Sequence, residues 1–287
     1  MLKRQKTYEE NTNAKLYLVG TPIGNFQDMT YRAVETLKFV DEIYCEDTRI
    51  TGLLLKHFEV STKMHSYHIY NEKELSSSII EKIKNGLNIA VVSDAGMPSI
   101  SDPGYLIATI AIKNDIDVCV IPGVSAGITA LVGSGIPSNR FTFIGFLNSK
   151  DNKRKEELDQ LKFNEETLIL YEAPHRIKET LEMINDIMPN REIVLARELT
   201  KRYEEYLRGT AKEILEVVDE LKGEMVIVIY GCQNEEKVAK LTCLTIKEHY
   251  RFYLENGYEN KEAMKLVAKD RNISKSEVYQ EIMGKSK

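Results

Sequence analysis

Two short segments place ionisable side chains directly after predicted strands. Glu172 and His175 lie in the segment YEAPHR, and Glu198 and Lys201 lie in RELTK. Carboxylate, imidazole and amine groups transfer protons and stabilise developing charge in active sites. Because a plain turn does not require such a density of charge, we expect these loops to form the polar wall of a site, with the four residues as catalytic candidates. The same residues could instead form salt bridges between two lobes or bind phosphates.

A third segment, Val91 to Gly104 (VVSDAGMPSISDPG), carries carboxylates in a loop that follows an apolar strand. Its glycines and prolines disfavour a continuing strand or helix, so a compact loop is expected. Open α/β sheets bind ligands at the carboxyl ends of their strands, which makes this loop a candidate binding segment. The alternative is an ordinary connection in which Asp94 or Asp102 caps a helix from Tyr105 to Lys113.

Two further turns of small residues follow predicted strands. The first, GTPIGN (residues 20–25), lacks both the GxGxxG spacing of dinucleotide sites and the GK[ST] of phosphate loops, so the sequence gives little support for phosphate binding there. The second, PGVSA (residues 122–126), contains Ser125. Since this turn lacks a GxSxG elbow and no partner is placed by sequence order, N-capping of the next helix is favoured over a nucleophilic role.

Strand, loop and helix patterns alternate from Leu16 onward, which predicts the α/β class, with a mostly parallel sheet covered by helices on both faces. The turn-rich segment SGIPSN, residues 134–139, suggests a domain boundary. We therefore predict a flexible tail at 1–14, one α/β lobe at 15–135, a second at 136–232, and a small helical module at 233–287. Thr30 and Ser274 are predicted N-caps of helices in the first lobe and the module.

Basic residues are concentrated in two places. The stretch Asn148 to Lys155 is predicted to be a polar loop before a helix from Glu156 to Leu161, and its cations could bind phosphates or simply be solvated. From Lys261 to the end, seven Lys or Arg accompany four Asp or Glu in a pattern of two short helices. A basic helix-turn-helix-like module suits RNA or partner contact better than catalysis.

Composition describes an ordinary globular chain. The net charge is −5, and the 287 residues include 43% hydrophobic residues. The four cysteines form no CxxC pair, so reduced, buried thiols in the cytoplasm are expected. No apolar run reaches membrane-spanning length, and the amino-terminal stretch lacks the apolar core of a signal peptide. His65 and His68 have a metal-like spacing without further ligands nearby, so no metal site is predicted.

Six segments in order, LVGTPIGN, EDTR, VVSDAGMPSISDPG, IPGVSAG, YEAPHR and ARELTK, resemble the motif set of the tetrapyrrole methylase superfamily. More narrowly, they are similar to its rRNA branch, the small-subunit rRNA cytidine 2'-O-methyltransferase I family. The match runs from about Leu16 to Gly231, and the basic carboxyl-terminal module resembles the extra helical domain of that family.

The resemblance implies an S-adenosylmethionine-dependent methyltransferase with two α/β lobes, the cofactor in the cleft between them, and a homodimer. The implied reaction is 2'-O-methylation of a cytidine ribose in 16S rRNA of the small ribosomal subunit, in the cytoplasm, with no metal and no membrane partner. Tetrapyrrole-specific members carry a GDP-type loop where this chain has SDAGMPSISDPG, which favours RNA. A tetrapyrrole precursor, a protein side chain of the diphthamide type, and RNA binding without catalysis are the alternatives.

By motif, the resemblance assigns cofactor contacts to Pro22, Asp94, Met97, Ser125, Ala126, Tyr171, Ala196 and Met225. The surface for RNA would combine the carboxyl-terminal module with Lys150, Lys153, Arg154, Lys155, Arg176 and Arg202. For the reaction itself, Lys201 would accept the hydroxyl proton if neighbouring arginines lowered its pKa. If it stayed charged, it would stabilise the forming alkoxide instead.

Overall fold

The computed structural model describes residues 2–6 and 13–284. The predicted tail, residues 1–14, therefore lies partly outside the described residues. Within its described part, Lys3 Nζ donates to the carbonyl of Ile112 at 2.7 Å, and Gln5 exchanges two hydrogen bonds with the backbone of Val118.

The first lobe is built on a parallel sheet in the order β3-β2-β4-β1-β5. Its strands are β1 (Leu16–Val19), β2 (Glu42–Cys45), β3 (Lys63–Ser66), β4 (Ile89–Val92) and β5 (Val118–Ile121). Its helices are α1 (Tyr31–Phe39), α2 (Thr48–His57), α3 (Glu72–Lys84), α4 (Tyr105–Lys113) and α5 (Ala126–Ser134). The central strand β4 is buried along its whole length, as its continuous apolar sequence requires for a sheet covered on both faces. The predicted parallel sheet is confirmed here.

Local signals set the ends of these helices. The hydroxyl of Thr30 accepts a hydrogen bond from the N–H of Ala33, so the predicted N-cap of α1 is confirmed. The capping alternative for Asp94 and Asp102 is wrong, because α4 is capped by Gly104 without a side-chain bond. The N–H of Gly104 donates instead to Glu72 Oε1 at 3.1 Å.

The second lobe contains a mixed sheet in the order β6-β7-β10-β8-β9, in which only β6 and β7 run parallel. The strands are β6 (Phe141–Phe146), β7 (Thr167–Glu172), β8 (Glu192–Arg197), β9 (Glu205–Thr210) and β10 (Met225–Ile229). The helices are α6 (Asp151–Leu161), α7 (Ile177–Ile187) and α8 (Ala211–Leu215). Strand β9 was not predicted. It is a largely polar edge strand, held by antiparallel pairing with β8 after the chain reverses at residues 198–204.

The prediction of a polar loop from Asn148 to Lys155 is wrong over most of its length. Helix α6 begins at Asp151, whose carboxylate lies in the first turn, where it favours helix formation through the helix dipole. Arg154 then falls on the inward face of α6, four residues before the buried Leu158.

A second compact unit comprises residues 158–166 and the chain from Gly231 onward. Its helices are α9 (Asn234–Thr242), α10 (Ile246–Glu255), α11 (Asn260–Asp270) and α12 (Lys275–Met283). Ser274 and Glu277 form a capping box at the start of α12, which confirms the predicted cap. Among the helices that the structure describes, none has the length and apolar character needed to cross a membrane.

Candidate functional site

A cavity of about 320 Å³ lies within the two-sheet unit, where the loops that follow β4, β5, β7 and β8 meet. Its size is in the range of small-molecule sites. Its lining includes Met97, Ile100, Ser101 and Asp102 from the first loop, Ser125 and Ala126 from the second, Phe146, Tyr171, Glu172 and Leu199 from the second lobe, and Glu224 and Met225 from β10 and the turn before it.

Two turns of the first lobe are locked together beside this cavity. Thr21 and Gly96 form an isolated antiparallel bridge with N···O distances of 2.9 and 3.1 Å. At the exits of β1 and β5, a side chain on Gly123 would place its Cβ 2.9 Å from the Cα of Gly20. Only glycine pairs allow backbones to approach so closely. The small residues of GTPIGN and PGVSA therefore serve close packing of the loops.

The segment SISDPG is held in a strained backbone conformation. Ser99 and Ser101 have φ of 72° and 64°, values that residues with a side chain rarely adopt. The hydroxyl oxygen of Ser101 lies against the backbone of Gly145 in β6, where a Cβ would be 2.9 Å from it. Such strain persists only where the surroundings impose it, and it concentrates at functional sites.

Three carboxylates of the first lobe are close enough to influence one another. Burial, and then the charges of Glu46 and Asp94, raise the pKa of Asp102 to about 7. Burial also raises the pKa of Glu46, with repulsion from Asp94 adding to it, and burial raises the pKa of Asp94, with repulsion from Asp47 adding to it. Asp94 accepts a hydrogen bond from the N–H of Asp47 at 2.9 Å. A cationic ligand beside Asp102, which lines the cavity, would relieve this repulsion.

Tyr171 links the two lobes at the cavity. Its phenolic oxygen accepts a hydrogen bond at 3.1 Å from the N–H of Gly127, in the first turn of α5. Phe143 and Phe146 contact its ring edge-on, at centroid distances of 5.1 and 5.6 Å. The ring is thus fixed by aromatic packing and by one hydrogen bond.

Of the predicted cofactor contacts, five line this cavity: Met97, Ser125, Ala126, Tyr171 and Met225. Pro22, Asp94 and Ala196 are not among its lining residues. Pro22 is buried, and Ala196 is fully buried in the core beneath the second sheet. The preference for Ser125 as a side-chain cap is wrong, because it occupies the N-cap position of α5 without a capping bond.

Glu172 is held in a buried network. One carboxylate oxygen accepts bonds from the N–H of Ala173 and from Nε and Nη2 of Arg176 at 2.8, 2.9 and 2.6 Å, and the other accepts the hydroxyl of Thr180 at 2.6 Å. The hydroxyl of Thr180 in turn accepts a bond from Arg154 at 3.3 Å. Both oxygens are therefore engaged within the lobe, and a catalytic role for Glu172 is not supported.

Arg154 has a structural role in the same network. Its side chain is 1% exposed and also pairs with Asp151. The prediction that Arg154 lies on a surface for RNA is therefore wrong. Arg176 is mostly buried through its ion pair with Glu172.

Lys201 and Glu198 form an ion-paired group with Glu224; Glu224 lines the cavity, and Lys201 and Glu198 are not among its lining residues. Lys201 Nζ contacts Glu198 at 3.1 Å and Glu224 at 2.9 Å. Burial acts to lower the pKa of Lys201, but hydrogen bonds to the two carboxylates outweigh it and raise that pKa. For Glu198, burial is likewise outweighed, and the bond from Lys201 lowers its pKa. The condition under which Lys201 would act as a base is not met.

The lysine stem rests on the first lobe. A Cβ on Gly24, in the GTPIGN turn, would lie 2.6 Å from Cγ of Lys201. Glu198 and Thr200 have φ of 50° and 66°. The loop after β8 is therefore strained like SISDPG, so both polar sides of the cavity are built from strained backbone.

The remaining predicted residues are at the surface. His175 is exposed and does not line the cavity, and Arg202 is exposed with its guanidinium 5.6 Å from the centre of the Tyr203 ring. Lys150, Lys153 and Lys155 are exposed around the start of α6. Within the described residues, no group of three or more metal-ligating side chains is found.

Sequence reasoning missed several lining residues, and two of these, Asp102 and Glu224, are ionisable. Asp102 is the better placed of the two to take part in chemistry. The signal for Asp102 was present, since it is the second carboxylate of a loop rich in glycine, proline and serine. It was interpreted only as a possible helix cap. The positive φ of the neighbouring serines cannot be deduced from residue type, because serine is not a residue that favours that region.

Two α/β lobes around a cavity lined by strand-end loops define an α/β enzyme with a small-molecule site. The sequence profile of the Tetrapyrrole (Corrin/Porphyrin) Methylases matches residues 15–215. The chain is 47% identical to "Ribosomal RNA small subunit methyltransferase I" of Bacillus subtilis, over 97% of this chain and 98% of that protein. It is 45% identical to the protein of the same name from Halalkalibacterium halodurans, with 97% and 98% coverage. The chain thus belongs to the tetrapyrrole methylase family and, within it, to the ribosomal RNA small subunit methyltransferase I group.

The fold agrees with this assignment. A uroporphyrin-III C-methyltransferase from Thermus thermophilus, solved in complex with S-adenosylhomocysteine, superposes with a TM-score of 0.56 at 15% identity. The match covers 76% of this chain and 97% of that one. At this identity the similarity demonstrates a shared fold, and the resemblance in the six motifs is confirmed at the level of family.

Proposed function

We propose that the protein transfers a methyl group from S-adenosylmethionine to the 2'-hydroxyl of a cytidine ribose in the 16S rRNA of the small ribosomal subunit. The 47% identity to a ribosomal RNA small subunit methyltransferase over nearly the whole chain is the observation that carries the proposal. The proposed setting is the cytoplasm, with the protein acting as a homodimer.

The cavity fits such a cofactor. Its walls are mainly apolar, as an adenosine and a thioether chain require, and Asp102 and Glu224 add negative charge that would attract a sulfonium. Met97, Ser125, Ala126, Tyr171 and Met225 would hold the cofactor, with Pro22 and Asp94 acting through their loops and Ala196 through β8. When bound, S-adenosylmethionine supplies an electrophilic methyl group.

The residues of the chain would orient the hydroxyl and exclude water. In-line transfer requires a fixed arrangement of the reacting atoms, which strained and tightly packed loops can maintain. Lys201 is charged and held at the cavity by Glu198 and Glu224, so its proposed role is to stabilise developing negative charge on the ribose oxygen. His175, on the exposed part of YEAPHR, is proposed to contact RNA.

For RNA binding we propose two sets of exposed cations. The first lies on the two-sheet unit and comprises Lys150, Lys153, Lys155 and Arg202; Arg176, whose ion-paired side chain is 15% exposed, would add to it. The second, which we name the α11 lysine face, comprises Lys261, Lys265 and Lys269. Their spacing of four residues places these three ammonium groups along one side of α11, about 6 Å apart along the axis. The opposite side of α11 packs in the core of the helical unit. Such a face suits phosphate contact without base specificity.

The test is transfer of labelled methyl from S-adenosylmethionine to small ribosomal subunits from cells that lack this protein, with the product nucleotide identified by mass spectrometry. One site of 2'-O-methylcytidine, resistant to alkaline cleavage on its 3' side, is the expected result. Tight cofactor binding without transfer to subunits or naked rRNA would contradict the proposal. Tetrapyrrole precursors and protein substrates would then be assayed in turn.

A further inference from the structure

Among the residues that line the cavity, three have carboxylates: Asp102, Glu172 and Glu224. Glu172 is engaged by four hydrogen bonds from its own lobe, and Glu224 is ion-paired with Lys201. Neither is free to accept a proton without breaking an ion pair. Asp102 differs, since no cation pairs with it among the described ion pairs.

Asp102 also does not cap helix α4, the role that its sequence position suggested. The N-terminus of α4 is capped by Gly104, whose N–H donates to Glu72. The loop instead holds Asp102 between the strained Ser101 and Pro103, next to the residues that line the cavity. Strain of this kind at Ser99 and Ser101, two positions of the same loop, fixes the direction of a side chain that a relaxed turn would leave variable.

We propose that Asp102 is the catalytic residue that accepts the proton of the substrate hydroxyl during methyl transfer. This inference rests on the proposed function. The hydroxyl oxygen gives its proton to a carboxylate oxygen of Asp102 as the new oxygen–carbon bond forms. The carbon–sulfur bond breaks, and its electron pair stays on sulfur, so charge and atoms balance without a further reactant.

The environment of Asp102 suits a general base at physiological pH. The groups that face it are Glu46 and Asp94, which repel its negative form, and the hydroxyl of Ser93, which favours that form. With burial, the net effect is a pKa of about 7. A base with this pKa is half ionised at neutral pH yet is a far stronger proton acceptor than an ordinary aspartate. A bound cation would lower the value.

The test compares the wild type with D102N in single-turnover methyl transfer to small subunits from pH 5.5 to 9. We expect the wild-type rate to rise through a limb below pH 7, because the bound cationic cofactor lowers the pKa of Asp102 from its cofactor-free value of about 7. The rate of D102N at pH 8 should be about 10²- to 10⁴-fold lower than that of the wild type, and its pH profile should lack the limb. The matched comparison is E46Q, which removes a repelling neighbour and should shift the limb to lower pH without abolishing it.

Two readouts do not depend on turnover. Calorimetry of S-adenosylmethionine binding should give D102N a dissociation constant within about tenfold of the wild type, since one partly solvated charge is lost. Carboxyl NMR of the cofactor-free protein should show one resonance that titrates near pH 7 and that is missing from D102N.

Retention of the rate and of the limb by D102N would overturn the inference. So would a loss of cofactor affinity in D102N that accounts for the whole rate effect, because that outcome is expected of a purely structural residue. If the wild type itself fails to methylate subunits while binding the cofactor, the proposed function and this inference fall together. If only D102N behaves unexpectedly, the inference alone falls.

Discussion

Replacing Glu172 separates a structural from a catalytic role for the YEAPHR segment. In E172A, the hydroxyl of Thr180 and the N–H of Ala173 lose their acceptor, and the mostly buried Arg176 loses the carboxylate that pairs with it. Removing one member of a buried charged network costs about 3 to 5 kcal/mol. For a unit of this size the melting temperature should fall by roughly 6 to 20 °C.

The isosteric variant E172Q provides the matched comparison. Its amide oxygen can still accept from Ala173 and Arg176, although these bonds lose their charge-assisted character. Its NH₂ group would face the hydroxyl of Thr180, which must then accept from both sides. We expect a loss of about 1 to 2 kcal/mol, the difference between charged and neutral hydrogen bonds plus a weakened contact. The methyl transfer rate of the folded fraction should change less than tenfold.

Urea unfolding of the cofactor-free variants measures the stability terms, and initial rates at saturating substrates measure catalysis. T180V interrupts the link between Glu172 and Arg154 without touching either charge, and a double-mutant cycle of E172Q with T180V should give a coupling of about 1 kcal/mol. The structural role is refuted if E172Q keeps wild-type stability but loses 10²-fold or more in rate, because that pattern belongs to a general base.

Three further outcomes follow from the geometry. G123A should lower the free energy of unfolding by about 1 to 3 kcal/mol and weaken cofactor binding, because its Cβ would meet the backbone of Gly20. The control G52A, in α2, where the added Cβ has room, should not destabilise the protein. Thermal melting measures the stability of both variants, and calorimetry measures their cofactor binding. Glutamine at all three positions of the α11 lysine face should reduce the salt slope of RNA binding by about two to three without changing cofactor affinity, and an unchanged slope would contradict the assignment. Because the folded-state pKa of Asp102 is raised, its stabilising contribution is complete below its unfolded pKa and is lost as pH rises through about 7. Between pH 4 and pH 8, the free energy of unfolding of D102N should therefore rise by about 2 kcal/mol relative to that of the wild type, after allowance for partial solvation. Equal pH dependence of the two free energies of unfolding would contradict the raised pKa.

The sequence predicted most of the first lobe because β1, β4 and β5 are continuous apolar runs that alternate with amphipathic helices. It did not predict β9, whose residues are largely polar and whose strand conformation depends on pairing with β8. The start of α6 was missed because lysines and arginines in NSKDNKRK suggested a solvated loop. A helix beginning at Asp151 would have placed Arg154 in line with Leu158, which is the signal for its inward direction.

For the site, the motifs located the right loops but not the direction of each side chain. Met97, Ser125, Tyr171 and other lining residues came from the family resemblance, whereas the dense charge of YEAPHR turned out to be an internal network around Glu172. Charge density in sequence does not distinguish a buried ion pair from an active site. That distinction depends on which donors the fold brings to each carboxylate.

The charges around the cavity form a consistent arrangement for the proposed reaction. A cationic cofactor would relieve the repulsion among Asp102, Glu46 and Asp94, so binding favours the ionised form of Asp102 that the reaction needs. During turnover Asp102 gains a proton as the sulfonium charge disappears, and the net charge of this side of the cavity stays the same. Because the net charge is the same before and after methyl transfer, the strained loop can remain fixed during the reaction. The bonds to Glu198 and Glu224 keep Lys201 protonated, so its positive charge persists throughout the reaction.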